Sequence, residues 1–265
     1  MQTVSLTHDY KKNADPLRGE FPALSHVTTT IKTDSKIVVS HGQTIAVFAR
    51  QVVPAELYKL AFELLSPVKG LVSNRAIALG TRSLPRSVSP NGVLSKRSGV
   101  NAEVLRVIDA RQGILGYSGR PTRLTRLTVE RPEMLDGNKR LLHLIDKIYQ
   151  KLLPDQYRMQ RAQVSKAPRF GLGQTCFTSI YVVKKLRTAY HLDTNNLHGT
   201  MTALIAMGDF TGGELVLPRW RVAFALRPGD LLLFDPQQLH GNLPFTGNRL
   251  SVAFYCMKSI ADCAM

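Results

Sequence analysis

The chain has 265 residues, 44% of them hydrophobic and 7% aromatic, enough for one large domain or two small ones with a full core. No run of about 18 apolar residues occurs, which argues against a membrane-spanning helix, and the polar N-terminus lacks the apolar stretch of a signal peptide. Before residue 191 there are 30 Lys and Arg against 13 acidic residues, and from there on 5 against 6, so a near-neutral C-terminal part follows a strongly basic front. That asymmetry is the footprint of a polyanion binder, and without a basic amphipathic helix no membrane partner is expected. Three cysteines, Cys176, Cys256 and Cys263, fit a reducing, intracellular setting (cytoplasm, or nucleus in a eukaryote) rather than a disulfide framework or zinc ribbon.

Residues 1–26 show no periodicity and read as a loosely ordered segment; residues 27–265 read as a single domain. Short β-type runs follow at 27–32, 36–40 and 44–48, the last two joined by His41-Gly42-Gln43 as a hairpin. A helix opens at Pro54, with Leu57, Leu60, Ala61 and Leu64 on one face, and ends at Pro67. Residues 69–100 are rich in Gly, Ser, Asn and Pro and carry Arg75, Arg82, Arg86, Lys96 and Arg97 without an acid. A loop of that length is functional or disordered in most compact domains, and these cations suggest a nucleic-acid contact. From Thr122 the alternation of Arg and Thr with Leu and Val predicts a strand that puts Arg123 and Arg126 on opposite faces. A single helix is expected over 134–153, its buried stripe Leu141, Leu144, Ile145, Ile148 and Leu152, with Pro154 as its stop.

From Thr175 the pattern is β-rich, with runs at 176–183, 201–207, 214–217, 222–226, 230–234 and 250–256. Gly212-Gly213, Pro228-Gly229-Asp230 and Gly247-Asn248 mark turns. Six or more strands after a helical segment predict an α+β, mainly β, jelly-roll sandwich with supporting helices.

The chemistry concentrates between His191 and Tyr255. His191-Leu192-Asp193 on a strand would send both side chains to one face, and His240 would join them from a neighbouring strand. Two imidazoles and a carboxylate form a candidate facial triad for Fe(II), with coordination positions left for a co-substrate and O2. Nine residues beyond His240, Arg249 offers a rigid fork for a carboxylate, which fits the far end of a dicarboxylic co-substrate, with the Ser251 hydroxyl beside it.

His-x-Asp, Gly-Gly-Glu-Leu, Pro-Gly-Asp-Leu-Leu-Leu-Phe, the distal His and Arg-x-Ser together resemble the 2-oxoglutarate/Fe(II) dioxygenase superfamily over about residues 175–257. The resemblance implies a double-stranded β-helix core, Fe(II) on His191, Asp193 and His240, and 2-oxoglutarate gripped by Arg249 and Ser251. It also implies oxidative decarboxylation driving attack on a C–H bond. A finer similarity is to the TET/J-binding protein group. It is carried by His191-Leu-Asp193-Thr-Asn-Asn196, by Arg249-Leu-Ser251-Val-Ala-Phe-Tyr255, and more loosely by Phe177-Thr178-Ser179-Ile180, Arg126-Leu-Thr128 and Pro154…Tyr157…Gln160. That resemblance implies Asn196 and Tyr255 beside a flipped-out base. Met257 stands where the animal enzymes have a His that bonds the methylcytosine edge, and Val183 where many members have Asn.

The expected protein is therefore an Fe(II)/2-oxoglutarate dioxygenase, monomeric, acting on the 5-methyl of a pyrimidine in single- or double-stranded DNA, 5-methylcytosine before thymine. Its basic part would be 27–174 and its core 175–257. The methyl of a stacked base cannot enter a deep pocket, so extrusion costs a few kcal/mol, which phosphate contacts can offset. Arg158, Arg161, Lys166, Arg169, Lys184, Lys185 and Arg187 are candidates for the rim, and Arg126 or Arg187 for a part in 2-oxoglutarate binding. A dioxygenase of proteins or small molecules, and a non-catalytic nucleic-acid binder, are the alternatives; product analysis on methylated DNA against peptides, and succinate release dependent on Fe(II), separate them.

Overall fold

A computed structural model describes residues 1–39, 42–68 and 110–263, together with Ala78 and the short strands Ser87–Val88 and Leu94–Ser95. Most of the 69–100 loop, with Arg75, Arg82, Arg86, Lys96 and Arg97, lies outside the described residues. The architecture is mixed α+β: a nine-stranded sheet, a four-stranded sheet facing it, and helices on the outer face of the larger one.

The large sheet runs in the order Gln2–Leu6, Ser35–Val39, Thr44–Ala49, Leu231–Phe234, Thr202–Met207, Leu250–Tyr255, Ser179–Lys184, Arg111–Ser118, Arg123–Leu124. The small one runs Gly241–Asn242, Leu215–Leu217, Val222–Phe224, Thr29–Ile31. Strand alternation divides the apolar residues between two cores. On the final long strand Leu250, Val252 and Phe254 face the helices, whereas Ala253 packs between the sheets. Ile37, Ile45, Phe48 and Leu232 from the large sheet meet Leu215, Leu217, Val222 and Phe224 from the small one. Trp220 is buried in this second core, and its indole N–H donates to the Gln238 side chain at 3.0 Å.

Several elements differ from the expectation. The stretch 1–26 is not loosely ordered: Gln2–Leu6 adds a parallel strand to Ser35–Val39, which a mostly exposed five-residue edge strand cannot announce by periodicity. In the Ala55–Leu65 helix the buried positions are Leu57, Ala61 and Leu65, and Leu60 is exposed. Arg123–Leu124 is a strand, but Arg126–Glu130 is helical, because the Thr125 hydroxyl caps the turn by accepting from the Thr128 N–H. The expected helix over 134–153 divides at Gly137-Asn138 into Pro132–Asp136 and Lys139–Leu152. Leu141 and Ile145 are buried as expected, together with Leu142, Asp146 and Tyr149, while Leu144, Ile148 and Leu152 are half-buried. Pro154 ends that helix and also opens Pro154–Lys166, since proline is tolerated in a first turn.

These two long helices are joined to the sheet by buried polar contacts. Asp146 accepts from the Tyr157 hydroxyl at 2.9 Å and from the Cys176 N–H at 2.8 Å. Gln160 donates to the Cys176 carbonyl at 2.9 Å and accepts from the Tyr149 hydroxyl. Tyr149 in turn accepts from the Met201 N–H at 3.0 Å, at the start of the Thr202–Met207 strand. Burial pushes the Cys176 thiol well above its ordinary pKa, so it stays neutral.

Candidate iron and co-substrate site

His191 and His240 do not sit on long strands. They are paired by an isolated antiparallel bridge, His191 N–H to His240 O at 2.9 Å and the reverse at 3.0 Å. Their rings lie 4.3 Å apart, and the His240 ring meets the edge of Phe234. Asp193 leaves the strand geometry expected for it and is held by its own N–H donating to the Pro236 carbonyl at 3.0 Å. It still reaches the two rings: its carboxylate oxygens lie 3.8 Å from His191 Nε2 and 3.8 Å from His240 Nε2.

Those separations exceed hydrogen-bond range but suit atoms that share an ion, since two donors each about 2.1 Å from a metal can be no more than about 4.2 Å apart. One ligand atom from each of the three residues falls within 4.8 Å of the others. The tautomers agree. His191 Nδ1 lies 2.8 Å from the Ala189 carbonyl and His240 Nδ1 2.8 Å from the Gln238 carbonyl. A carbonyl can only accept, so each Nδ1 carries the proton and each Nε2 turns a lone pair towards Asp193. The donor set fits Fe(II).

Arg249 immediately precedes the final strand, Leu250–Tyr255, and by a two-residue period falls on the face of Ser251, Ala253 and Tyr255. It is 2% exposed, donates from Nη1 to Ser251 Oγ at 3.2 Å, and packs between the rings of Phe210 and Phe245 at 5.5 and 5.4 Å. Gly213, at φ +74°, leaves room for it: a Cβ there would stand 3.0 Å from Arg249 Nε. Burial pushes the guanidinium pKa down to about 10, opposed by the charge of Glu214, so it remains charged at neutral pH. Among the described residues its Nε has no hydrogen-bond partner. A buried guanidinium with an orphaned N–H is costly and fits a site completed by an anion, as the far carboxylate of 2-oxoglutarate would do.

His191 and Asp193 line a cleft of about 460 Å³, with Asn196, Tyr255 and Met257 also on its walls. Asn196 is buried; its side-chain amide donates to Thr202 Oγ1 at 2.9 Å. The loop that carries it is tied to the segment after the final strand by Leu197 N–H to Cys256 O at 2.8 Å and Lys258 N–H to Asn195 O at 2.7 Å. Arg249 and Ser251 are not on the cleft lining.

None of the seven cations expected at the rim lines this cleft. Arg158 pairs with Asp155, Arg161 bonds the Thr175 carbonyl, Lys184 the Ser66 carbonyl, and Arg187 the Pro22 and Asn242 carbonyls. Arg126 is exposed and paired with Glu130. Among the described residues the cations that do line the cleft are Arg18, Arg120 and Lys258. Nothing in their local sequence marks them, because they come from segments far apart in the chain. His198 and His143 are exposed.

Sheet sandwich, His/Asp/His cluster and buried Arg249 are the arrangement that an iron- and 2-oxoglutarate-dependent oxygenase domain requires. Residues 116–258 match the Tet_JBP family model, the oxygenase domain of the 2OGFeDO superfamily, and the chain belongs to that family. It is 37% identical over 139 residues to the bifunctional helicase and thymine dioxygenase JBP2 of Trypanosoma brucei brucei (strain 927/4 GUTat10.1), covering 49% of this chain and 13% of that protein. It is 26% identical over 267 residues to the thymine dioxygenase JBP1 of Trypanosoma brucei brucei, covering 96% of this chain and 28% of the relative. The chain thus spans less than a third of the length of either relative. Among solved structures, NgTET1 in complex with 5mC DNA superposes with a TM-score of 0.60 at 15% identity, over 88% of this chain and 79% of that one, a likeness of fold. Among the described residues no helix is long and apolar enough to cross a membrane.

Proposed function

We propose that this chain oxidises the 5-methyl group of a pyrimidine in DNA, thymine foremost and 5-methylcytosine second. The reading takes residues 175–257 as a double-stranded β-helix core within a single domain. His191, Asp193 and His240 would hold Fe(II), and Arg249 with Ser251 the far carboxylate of 2-oxoglutarate. With O2 these groups supply the oxidising power for a methyl C–H bond, giving succinate, CO2 and a hydroxymethylpyrimidine. Asn196 and Tyr255 would hold the extruded base.

The observation that carries this reading is that His191 and Asp193 of the cluster open onto a cleft lined by an aromatic ring, a buried amide and three cations. The protein's own part is positional: the carbonyls of Ala189 and Gln238 fix both imidazole tautomers, and the orphaned Nε of Arg249 awaits a carboxylate. Thymine is placed first, reversing the order expected from the sequence, for two reasons. The curated relatives are named as thymine dioxygenases, and Met257 on the cleft wall offers a methyl-packing surface but no strong hydrogen bond to a cytosine edge.

Mass spectrometry of nucleosides tests it, after incubation with Fe(II), 2-oxoglutarate and DNA containing thymine and 5-methylcytosine. 5-Hydroxymethyluracil is expected. Oxidised cytosine alone would reverse the order, and unchanged nucleosides with succinate released on a peptide would replace the DNA reading.

A further inference from the structure

The segment before residue 27 is fastened to the core on both sides of its short helical stretch, Lys11–Ala14 and Asp15–Leu17. Near the site, Gly19 N–H donates to the Tyr190 carbonyl at 2.8 Å and Tyr190 N–H to the Glu20 carbonyl at 2.8 Å, one residue before His191. Just beyond, the Arg187 guanidinium lies 4.8 Å from the centre of the Phe21 ring and bonds the Pro22 carbonyl. At the far end Asp9 accepts a two-pronged contact from Arg219, at 2.8 and 2.6 Å, and Tyr10 N–H donates to the Arg219 carbonyl at 2.9 Å.

Between these anchors stands Arg18, exposed and lining the same cleft as His191 and Asp193. Arg120 and Lys258 line it too. Arg120 has a partner, Asp262 at 3.3 Å. Among the described residues no carboxylate lies within 4 Å of the side-chain nitrogens of Arg18 or Lys258. An arm whose backbone is tied down on both sides of an arginine with no carboxylate partner among the described residues presents positive charge at the cleft, where little backbone entropy is left to lose on binding an anion.

We propose that this N-terminal arm is part of the substrate-binding machinery: Arg18 grips a backbone phosphate of the nucleic acid beside the extruded base, and the Asp9–Arg219 contact is the latch that keeps the arm in place. The inference rests on the reading that the substrate is nucleic acid. A planar guanidinium suits phosphate by its fork of donors, and a phosphate held next to the cleft fixes the nucleotide whose base must enter it.

The test is fluorescence anisotropy of a labelled methylpyrimidine-containing oligonucleotide, titrated with the full chain over a range of salt concentrations, for wild type, Arg18→Gln, Asp9→Asn and Arg158→Gln. Circular dichroism and thermal unfolding verify that each variant is folded. For Arg18→Gln the Kd should rise about five- to tenfold at low salt, and the log Kd against log salt slope should fall by about one. Asp9→Asn should weaken binding in the same direction by a smaller factor and make the arm cleavable in limited proteolysis. Arg158→Gln, whose charge is already paired off the cleft, should bind as wild type. Binding by Arg18→Gln that equals wild type, or an equal loss in Arg158→Gln, overturns the arm as a specific contact while leaving the DNA reading intact. Absence of binding by wild type overturns the DNA reading, and this inference with it.

Discussion

His191 and His240 face each other across a single antiparallel bridge, each donating its backbone N–H to the other's carbonyl. Residues that exchange both bonds have Cα atoms about 5.5 Å apart, which sets two imidazoles side by side without any long strand around them. Asp193 closes the triangle at 3.8 Å from both Nε2 atoms.

Removing one corner should abolish metal retention. Asp193→Ala is expected to lower Fe(II) or Mn(II) affinity by more than the ten- to hundredfold typical of losing an outer partner. Anaerobic calorimetry, and the rise in Tm that metal gives the wild type, both report it. A variant that keeps wild-type metal affinity would show that the ion sits elsewhere.

Arg249 separates stability from co-substrate binding. Its charge is buried and its Nε lacks a partner, so Arg249→Met should leave the co-substrate-free protein as stable as wild type or more so. The same change should erase the thermal stabilisation given by 2-oxoglutarate. Arg249→Lys, which keeps charge but loses the fork, is expected to raise the KM for 2-oxoglutarate by about tenfold or more with a smaller change in kcat. Persistence of the 2-oxoglutarate shift in Arg249→Met would remove this residue from the co-substrate site.

Tyr149 joins the helices to the catalytic sheet, accepting from Met201 N–H and donating to Gln160. Tyr149→Phe leaves the Met201 N–H without that partner and should cost about 1–3 kcal/mol. Denaturant unfolding measures it, with the midpoint falling at unchanged slope. The loss should carry over to the Thr202–Asn196 contact as a higher KM for DNA. An unchanged midpoint would mean that water replaces the hydroxyl.

Met257 tests the base preference. Met257→His adds one donor and one acceptor to the cleft wall, and the ratio of kcat/KM for 5-methylcytosine over thymine should rise about tenfold, as one hydrogen bond to the substrate edge can supply. Competition assays on duplexes carrying both bases give the ratio directly. No change in the ratio would place base selection on other residues.

Periodicity and spacing by themselves determined a good deal. The runs from Thr175 to Tyr255 found six strands to within about three residues at either end, because a two-residue period with marked turns is a local signal. His191, Asp193, His240, Arg249 and Ser251 stood out because few chemistries need those side chains in that order; Tyr157 and Gln160, singled out only by the family resemblance, belong to the polar seam holding Cys176. Tertiary structure alone decided that Asp193 is set by a loop contact, that Pro154 opens a helix as well as closing one, and that Arg126 is spent on Glu130. It alone brought Arg18, Arg120 and Lys258 to one cleft from segments about a hundred residues apart. The division is physical: hydrophobic period and turn residues act between neighbours in the chain, whereas an electrostatic site is a sum over distances in space, to which sequence separation is blind.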